Sequence, residues 1–394
     1  MKILLCVATF LLGLSILMFS QRPITIADVH QPSSTQGDAL ATENPMDVRQ
    51  SHYGNLSSGA PVQEFVCTNR NGIVMRLINY GATMTSLEVP SKQSSENQNI
   101  ILTCPDLAGF EACRSYFGST VGRYCNRIAF GRFSIDGKEF QLATNNGAHH
   151  LHGGDVGFDK VVWDAEPIRG DSYVGVRFTY VSADGEEGYP GKLSVTADYI
   201  LNNQDEIIVD LKAKSDQATH VNLTNHNYWN LAGAGAETIL NHEMKVEASK
   251  FIDADETLIP TGKILDVKDT VFDFTKFRKM GDRINEVGDD PRGFDLCFAI
   301  DKQDGSLNLA ATVKHEATGR MLEIWSTQPG LQFYTGNFLD GSPGSGGYQQ
   351  YTGFCLETQH YPDTPNHPNF PSTLLKPGET FHQRTVHKFR VFSE

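Results

Sequence analysis

Residues 221–233 place the side chains of an acid–base site within one short stretch. A histidine, His226, lies among asparagine amides and is followed by Tyr228 and Trp229. Imidazole exchanges its proton near neutral pH, which suits a general acid, and the two aromatic side chains could stack on a sugar ring. Alternation at positions 221–225 predicts a strand with one buried face before a turn at His226. The alternative is a core histidine satisfied by its neighbours.

A second stretch, residues 353–366, supplies a carboxylate. Glu357 follows three apolar residues and precedes a polar loop that is broken by prolines. A carboxylate at the end of a buried strand loses part of its hydration, and this raises its pKa towards that of a useful base. Glu357 and His226 are therefore the candidate catalytic pair.

Residues 118–132 interleave glycines and arginines with apolar residues, without the spacing or the strand–helix context of a phosphate loop. Arg127, beside Asn126, could offer a rigid fork of N–H donors to a polyol or a carboxylate. The alternative is a surface arginine in an ion pair.

His150 and His152 are two residues apart, so a strand would place them on one face. A metal pair is conceivable, but no third ligand follows at a recognisable spacing. A histidine held against a ligand hydroxyl agrees better with the sequence, because Gly153 and Gly154 permit close backbone approach.

Two downstream segments offer further polar groups. Asp295 lies in an aromatic and apolar run. A carboxylate in such a run requires a partner or a ligand. The alternative is that Asp295 is a turn residue at the end of a strand. Gln332 and Tyr334 are expected on one face of a strand, with Asn337 close by.

Period-two patterns and glycine-rich turns predict an all-β fold. Hairpins are expected at residues 133–142, with Asp136 and Gly137 in the turn, and at 312–325. No long amphipathic helix is indicated. The other predicted strands are residues 65–67, 73–78, 84–89, 175–181, 192–201, 206–213, 244–248, 251–252 and 379–392.

Charge and cysteine content exclude several classes of protein. The net charge is −14, from 33 basic and 47 acidic residues, and no basic cluster occurs, so neither nucleic acid nor an acidic membrane surface is expected as a partner. None of the seven cysteines forms a C-x-x-C pair, which argues against a zinc site. Cys104 and Cys113 could form a disulfide in an oxidising compartment, which the sequence leaves open.

The N-terminal residues predict export. Lys2 followed by an apolar run within residues 1–20 is typical of a secretory signal, and the run is also long enough to remain as a membrane anchor. We therefore expect a periplasmic or secreted protein. Residues 21–58 are polar and predict a disordered linker, the alternative being an arm that packs on the domain. Residues 59–394 are expected to form one folded domain.

Several ordered motifs resemble the aldose 1-epimerase family, also called galactose mutarotase, from about residue 62 to the C terminus. The resemblance implies a single large antiparallel β-sandwich of the galactose mutarotase-like supersandwich type. The departures are Cys125, where a small residue is usual, and residues 227–229. The motifs are residues 121–128, 151–154, 157–160, 184–191, 221–226, 293–295, 332–338 and 353–359.

The resemblance implies an isomerase that interconverts the α and β anomers of a free aldohexose such as glucose or galactose. It implies Glu357 as the base and His226 as the acid, and no cofactor or metal is expected for this chemistry. The carboxylate is expected to raise the pKa of the imidazole. We expect a monomer whose partner is the sugar. The implied substrate-binding residues are Asn126, Arg127, His152, Asp295 and Gln332.

Three other functions are less consistent with the sequence. A hexose 6-phosphate 1-epimerase would require a basic pocket, against the acidic balance of the chain. A non-catalytic carbohydrate-binding protein would not require both Glu357 and His226. A glycosidase would require a second carboxylate motif to pair with Glu357.

Overall fold

Strands make up most of the regular secondary structure of the computed structural model, which describes residues 45–392 apart from residues 95, 289 and 290. The strands in the first part of the chain are β1 (Asp47–Asn55), β2 (Pro61–Thr68), β3 (Val74–Ile78), β4 (Thr83–Val89), β5 (Gln98–Asn99), β6 (Thr120–Val121), β7 (Arg127–Ile128), β8 (Arg132–Ile135), β9 (Lys138–Gln141) and β10 (His150–Leu151). The next are β11 (Asp164–Arg169), β12 (Tyr173–Ser182), β13 (Leu193–Asn202), β14 (Glu206–Ser215), β15 (Thr219–His220), β16 (Thr224–Asn225), β17 (Tyr228–Trp229), β18 (Glu243–Val246) and β19 (Lys250–Ala254). The last are β20 (Pro260–Asp266), β21 (Arg278–Lys279), β22 (Asp295–Ala299), β23 (Asn308–His315), β24 (Arg320–Ser326), β25 (Gly330–Tyr334), β26 (Phe354–Gln359), β27 (Leu374–Leu375) and β28 (Phe381–Val391).

Helical structure is short. One α-helix, α1 (Leu107–Ala112), begins after Asp106, whose side chain accepts a hydrogen bond from the backbone N–H of Gly109. Among the described residues no helix is long and apolar enough to span a membrane. The 3₁₀ turns are Ala129–Gly131, Phe158–Lys160, Glu186–Gly188, Ile239–Asn241, Ile284–Glu286, Pro343–Ser345 and Thr364–Asn366.

Three antiparallel sheets carry the fold. The nine-stranded sheet has the order β11-β12-β13-β14-β28-β24-β23-β18-β21, the six-stranded sheet β17-β26-β25-β22-β19-β20, and the five-stranded sheet β1-β2-β3-β4-β5. Apolar side chains from all three sheets, such as Phe178, Phe333 and Phe65, belong to one hydrophobic core. The predicted all-β antiparallel fold is confirmed.

The predicted strands and hairpins are largely where the period-two pattern places them. The hairpin of β8 and β9 turns at Asp136 and Gly137, which both have positive φ (51° and 80°), as its Asp-Gly sequence predicts. Strands β12, β13 and β14 form the predicted meander, and β28 closes the sheet between β14 and β24.

Two predictions about the chain's organisation are wrong in part. The linker expected over residues 21–58 includes β1, which pairs with β2 from Asp47 to Asn55, so the packed-arm alternative is correct there. Backbone hydrogen bonds to β2 order this polar strand without a large apolar face. Residues 1–44, with the predicted signal, lie outside the described residues. The strand expected at 221–225 is instead divided, because β16 pairs with β6 while Asn222 forms an isolated bridge with Tyr124.

Candidate active site

One face of the six-stranded sheet carries the predicted carboxylate. Along β26 the side chains of Phe354 and Leu356 enter the hydrophobic core, so Glu357, on the alternate face, points away from that core. Gln332 of β25 pairs directly with Glu357, which places the two side chains next to each other. Asp295 begins the adjacent strand, β22, opposite Tyr334. The two-residue alternation therefore collects several polar groups on one surface.

His226 is held over this surface by a neighbouring loop. The backbone N–H of His226 donates to the carbonyl of Ser119 (2.9 Å), and the N–H of Gly118 donates to the carbonyl of His226 (3.0 Å). The imidazole lies between the rings of Tyr116 and Tyr228, at centroid distances of 5.7 and 5.1 Å and near-parallel angles of 22° and 19°. These contacts on both faces fix the imidazole plane.

Gly118 is required for this support. Its φ is +67°, and a Cβ added there would lie 2.0 Å from the carbonyl oxygen of Met84. We expect Gly118→Ala to lower the free energy of unfolding by about 2–4 kcal/mol, from backbone strain plus overpacking. Urea denaturation measures this. Gly137→Ala is the matched control, because Gly137 has φ +80° but no atom within 4 Å of its added Cβ. Equal losses of unfolding free energy in both variants would contradict the conclusion that the contact with Met84 destabilises Gly118→Ala.

Glu357 and His226 face each other at the bottom of the site. The distance from His226 Nε2 to Glu357 Oε1 is 3.5 Å, and both side chains are buried. On the other side of the ring, Cys355 Sγ lies 3.6 Å from His226 Nδ1. If the thiol donates to Nδ1, the neutral ring carries its proton on Nε2, directed at the carboxylate.

Burial controls the proton affinities of this pair. It lowers the pKa of His226 to about 4. Burial, reinforced by the negative charge of Asp295, raises the pKa of Glu357 well above its usual range, while Arg127 opposes the rise. The prediction that the carboxylate would raise the imidazole pKa is therefore wrong, because burial dominates the shift of His226. Burial thus favours the arrangement in which the proton lies on Glu357 and the imidazole is neutral.

All seven predicted site residues line a single cavity of about 230 Å³. Arg127 lies at its wall, where its Nε donates to Asn146 Oδ1 (3.3 Å), so the surface ion-pair alternative does not describe it. The side-chain oxygen of Asn126 accepts from the backbone N–H of Arg127 (2.9 Å). The cavity is small beside the ~300–1,000 Å³ of drug-sized ligand sites, which suits one sugar ring.

His150 and His152 do not share a face, contrary to the expectation from their spacing. Strand β10 ends at Leu151, and His152 has a left-handed backbone (φ 51°). His150 turns inwards, where its Nε2 lies 2.7 Å from the hydroxyl of Tyr189. His152 enters the cavity, and its Nδ1 accepts from the backbone N–H of Asn126 (3.2 Å), so its Nε2 is free to face a ligand.

Two residues that line the cavity have side-chain oxygens without protein partners. Gln332 donates through Nε2 to Asp295 Oδ1 (2.6 Å). Gln332 Oε1 and Glu357 Oε2 are buried and have no hydrogen-bond partner among the described residues. Buried acceptors of this kind require donors, and sugar hydroxyls are suitable ones.

Some lining residues were not found from the sequence. Tyr116 contacts both imidazoles, since its ring centroid is also 4.6 Å from that of His152. Phe338 is 58% exposed and stacks on Tyr334, so it presents an aromatic face at the rim. Phe338 ends the motif of residues 332–338 but was not singled out there, and Tyr116 belongs to none of the motifs. The left-handed φ of Tyr116 (56°) also has no sequence signal.

A metal could also find donors here. One atom each from His152, His226 and Glu357 lie within 4.8 Å of one another, and this is the sole such group in the described part of the chain. A metal pair of His150 and His152, the alternative suggested by their spacing, is not formed, because His150 turns inwards to Tyr189.

The sheets and the cavity together define a protein of the β-sandwich class, with a buried carboxylate and imidazole below a polar, aromatic-rimmed site. Comparison with known proteins gives the family. The family model for aldose 1-epimerase matches residues 63–388. The chain is 44% identical to a galactose mutarotase of Bos taurus over 349 residues, covering 88% of this chain and 99% of the relative.

More distant relatives agree. An aldose 1-epimerase of Escherichia coli (strain K12) is 33% identical over 338 residues, covering 84% of this chain and 96% of the relative. The crystal structure of a galactose 1-epimerase from Lactobacillus acidophilus NCFM superposes with a TM-score of 0.78 at 27% identity, covering 88% of this chain and 99% of that one. The chain belongs to the aldose 1-epimerase family, and it is an isomerase.

Proposed function

We propose that this aldose 1-epimerase interconverts the α and β anomers of free glucose and galactose, with Glu357 as the base and His226 as the acid. The observation that carries the proposal is the 3.5 Å approach of His226 Nε2 to Glu357 Oε1 inside a cavity of monosaccharide size. Asn126, Arg127, His152, Asp295 and Gln332 line the same cavity and bind the sugar hydroxyls.

The reaction transfers protons and no other atoms. Glu357 takes the proton of the C1 hydroxyl, and His226 in its protonated form delivers a proton to the ring oxygen. The bond between C1 and the ring oxygen then breaks, which leaves the open-chain aldehyde. Rotation about C1–C2 presents the other face of the carbonyl, and ring closure with the reverse proton transfers gives the other anomer. Each positioned transfer contributes about 10²–10⁴-fold.

The active arrangement is an ionised Glu357 beside a protonated His226. Burial favours the uncharged arrangement, in which the proton lies on Glu357. A sugar hydroxyl that donates to Glu357 Oε2 stabilises the carboxylate form, because hydrogen bonds to a charged acceptor are the stronger ones. Substrate binding therefore shifts the shared proton towards the imidazole.

Polarimetry tests the proposal directly. Freshly dissolved α-D-glucose and α-D-galactose are followed with and without the purified protein, and glucose 6-phosphate is a third substrate. We expect rapid equilibration of at least one free sugar and little effect on the phosphate. Acceleration of the phosphate alone would overturn the substrate assignment, and acceleration of none would overturn the proposal.

Asp295 provides a test through its charge. Because Asp295 raises the pKa of Glu357, Asp295→Asn should lower that pKa and move the alkaline limit of kcat/KM to lower pH. The variant should also lose about tenfold to hundredfold in kcat/KM, through a weakened hydrogen bond to the sugar. A pH profile measures both effects. An unshifted alkaline limit would show that the charge of Asp295 does not reach Glu357.

We also propose that the protein is exported through residues 1–20 and acts as a monomer. The apolar run after Lys2 supports export, either by cleavage or as an anchor. Fractionation of expressing cells with N-terminal sequencing tests the location, and light scattering tests the oligomeric state. Recovery of the full chain in the cytosolic fraction would overturn the export proposal, and a dimeric mass would overturn the monomer.

A further inference from the structure

Two buried cysteines flank the helix that precedes Tyr116. Cys104 lies before α1, Cys113 is the residue that caps its C-terminal end, and both are almost fully buried (3% and 4% exposed). Gly109 lets the helix pack on Cys104, since a Cβ added there would lie 3.2 Å from the Cys104 Cβ. Both cysteines belong to one apolar cluster with Leu107 and Phe110.

The two thiols are partners. The interaction between the two thiols raises the pKa of Cys104 and lowers the pKa of Cys113 to about 6. The backbone N–H of Ser115 also donates to Cys113 Sγ (3.3 Å). By contrast, burial raises the pKa of Cys67 to about 12. Cys113 therefore has the lowered pKa of a reactive cysteine, and a second thiol lies in the same buried cluster.

The segment after Cys113 leads directly into the active site. Arg114, Ser115 and Tyr116 line the cavity, and Tyr116 stacks on His226 and contacts His152. Lys160 Nζ donates to the carbonyl of Cys113 (2.7 Å), which ties the start of this segment to the domain. A displacement of Cys113 would therefore also move Tyr116, which follows three residues later and whose ring stacks on the imidazole of His226.

We propose that Cys104 and Cys113 form a thiol–disulfide redox pair whose oxidation displaces the segment that carries Tyr116. A disulfide brings its sulfurs to about 2.05 Å, closer than two thiols that are not bonded to each other. Formation of the bond thus pulls Cys113 Sγ away from the N–H of Ser115. Tyr116 is a positioning residue in this scheme. The kinetic consequence rests on the proposed function, whereas the disulfide itself does not.

The oxidation step balances with a small-molecule disulfide such as oxidised glutathione. The Cys113 thiolate attacks one glutathione sulfur, forms a mixed disulfide and releases one glutathione thiolate, which takes up the Cys104 proton. The Cys104 thiolate then attacks Cys113 Sγ and releases the second glutathione. Two protein thiols are oxidised and one disulfide is reduced to two thiols. Because both thiols are buried, local opening of the α1 region must precede the attack.

Thiol counting and peptide mapping test the pair. The full chain is equilibrated in reduced or oxidised glutathione, denatured, alkylated and weighed, and its peptides are mapped. We expect two fewer alkylated cysteines after oxidation and a linked Cys104–Cys113 peptide. Cys104→Ser should abolish the link. The matched control Cys67→Ser, which removes another buried cysteine, should retain it. Equal alkylation in both buffers, or a link between other cysteines, would overturn the proposal.

Mutarotation of galactose in the same samples tests the coupling to the active site. We expect oxidation of the wild type to lower kcat by about tenfold, since a ~1 Å displacement of a positioning group can cost up to ~10²-fold. Dithiothreitol should restore kcat, and Cys104→Ser should not respond to the buffer. A linked protein with unchanged kcat would overturn the coupling. If the reduced wild type is itself inactive, the proposed function fails. The peptide map would still show whether Cys104 and Cys113 form a disulfide.

Discussion

Replacing Glu357 with glutamine is expected to lower kcat for anomer exchange by about 10²–10⁴-fold. Glutamine keeps the size and the planar end group of glutamate, so β26 should retain its pairing with Gln332. It cannot accept the proton of the C1 hydroxyl. Polarimetry with α-D-galactose, corrected for the spontaneous reaction, measures the loss. The same change in the exposed Glu316 is the matched control and should leave kcat unaltered.

The stability of the Glu357→Gln variant separates chemistry from folding. The folded-state pKa of Glu357 lies above its unfolded-state value, so at neutral pH the buried carboxyl disfavours the folded state relative to acid pH. The amide has no such cost. Urea denaturation at pH 7 should therefore show a variant at least as stable as the wild type. An active variant would contradict the assignment of Glu357 as the base. A variant less stable than the wild type would contradict the conclusion that the buried carboxyl disfavours the folded state at neutral pH.

The sequence located the strands of the site because their geometry is periodic. The apolar residues before Glu357 predict a buried strand that carries this carboxylate, and β26 confirms the strand, although it continues beyond Glu357 to Gln359. Gln332 and Tyr334 likewise share a face of β25. Where a pocket is built from neighbouring strands, one sequence therefore contains most of the information about which side chains enter it.

The loops of the site could not be predicted in the same way. His152 enters the cavity and His150 does not, because the strand ends between them and His152 has a positive φ. Asn126 and Tyr116 also have left-handed backbones, which tertiary contacts impose and no local pattern encodes. The burial of the site could not be predicted either. The pKa of His226 is lowered because the side chain is buried, and that burial depends on how completely the loops cover His226 and Glu357.

Polar segments present a related difficulty. Residues 47–55 contain few apolar side chains, and composition alone favours a linker there. Their order comes from backbone hydrogen bonds to β2 and from contacts such as Arg169 Nη1 with Asp47 Oδ1 (3.1 Å). An edge strand of this type is recognised only when its partner strand is known.

Replacing His226 with asparagine should also lower kcat by about 10²–10⁴-fold, because the ring oxygen then receives no proton from the protein. The wild-type profile of kcat/KM should fall below about pH 4, where the pair takes up a second proton, and again at alkaline pH, where the shared proton is lost. In the variant the acid-side fall should disappear from whatever activity remains. His52→Asn, on the exposed face of β1, is the control.

The pH dependence of stability gives a second measure of His226. Its folded-state pKa is about 4 against an ordinary value of 6.5, so the wild type loses stability as the pH falls from about 6.5 towards 4, while the unfolded chain takes up a proton. The amide side chain that His226→Asn introduces cannot titrate, so the variant should lose less stability over this window. Equal losses would mean that His226 is protonated in the folded protein, and the acid would then be charged before the sugar binds.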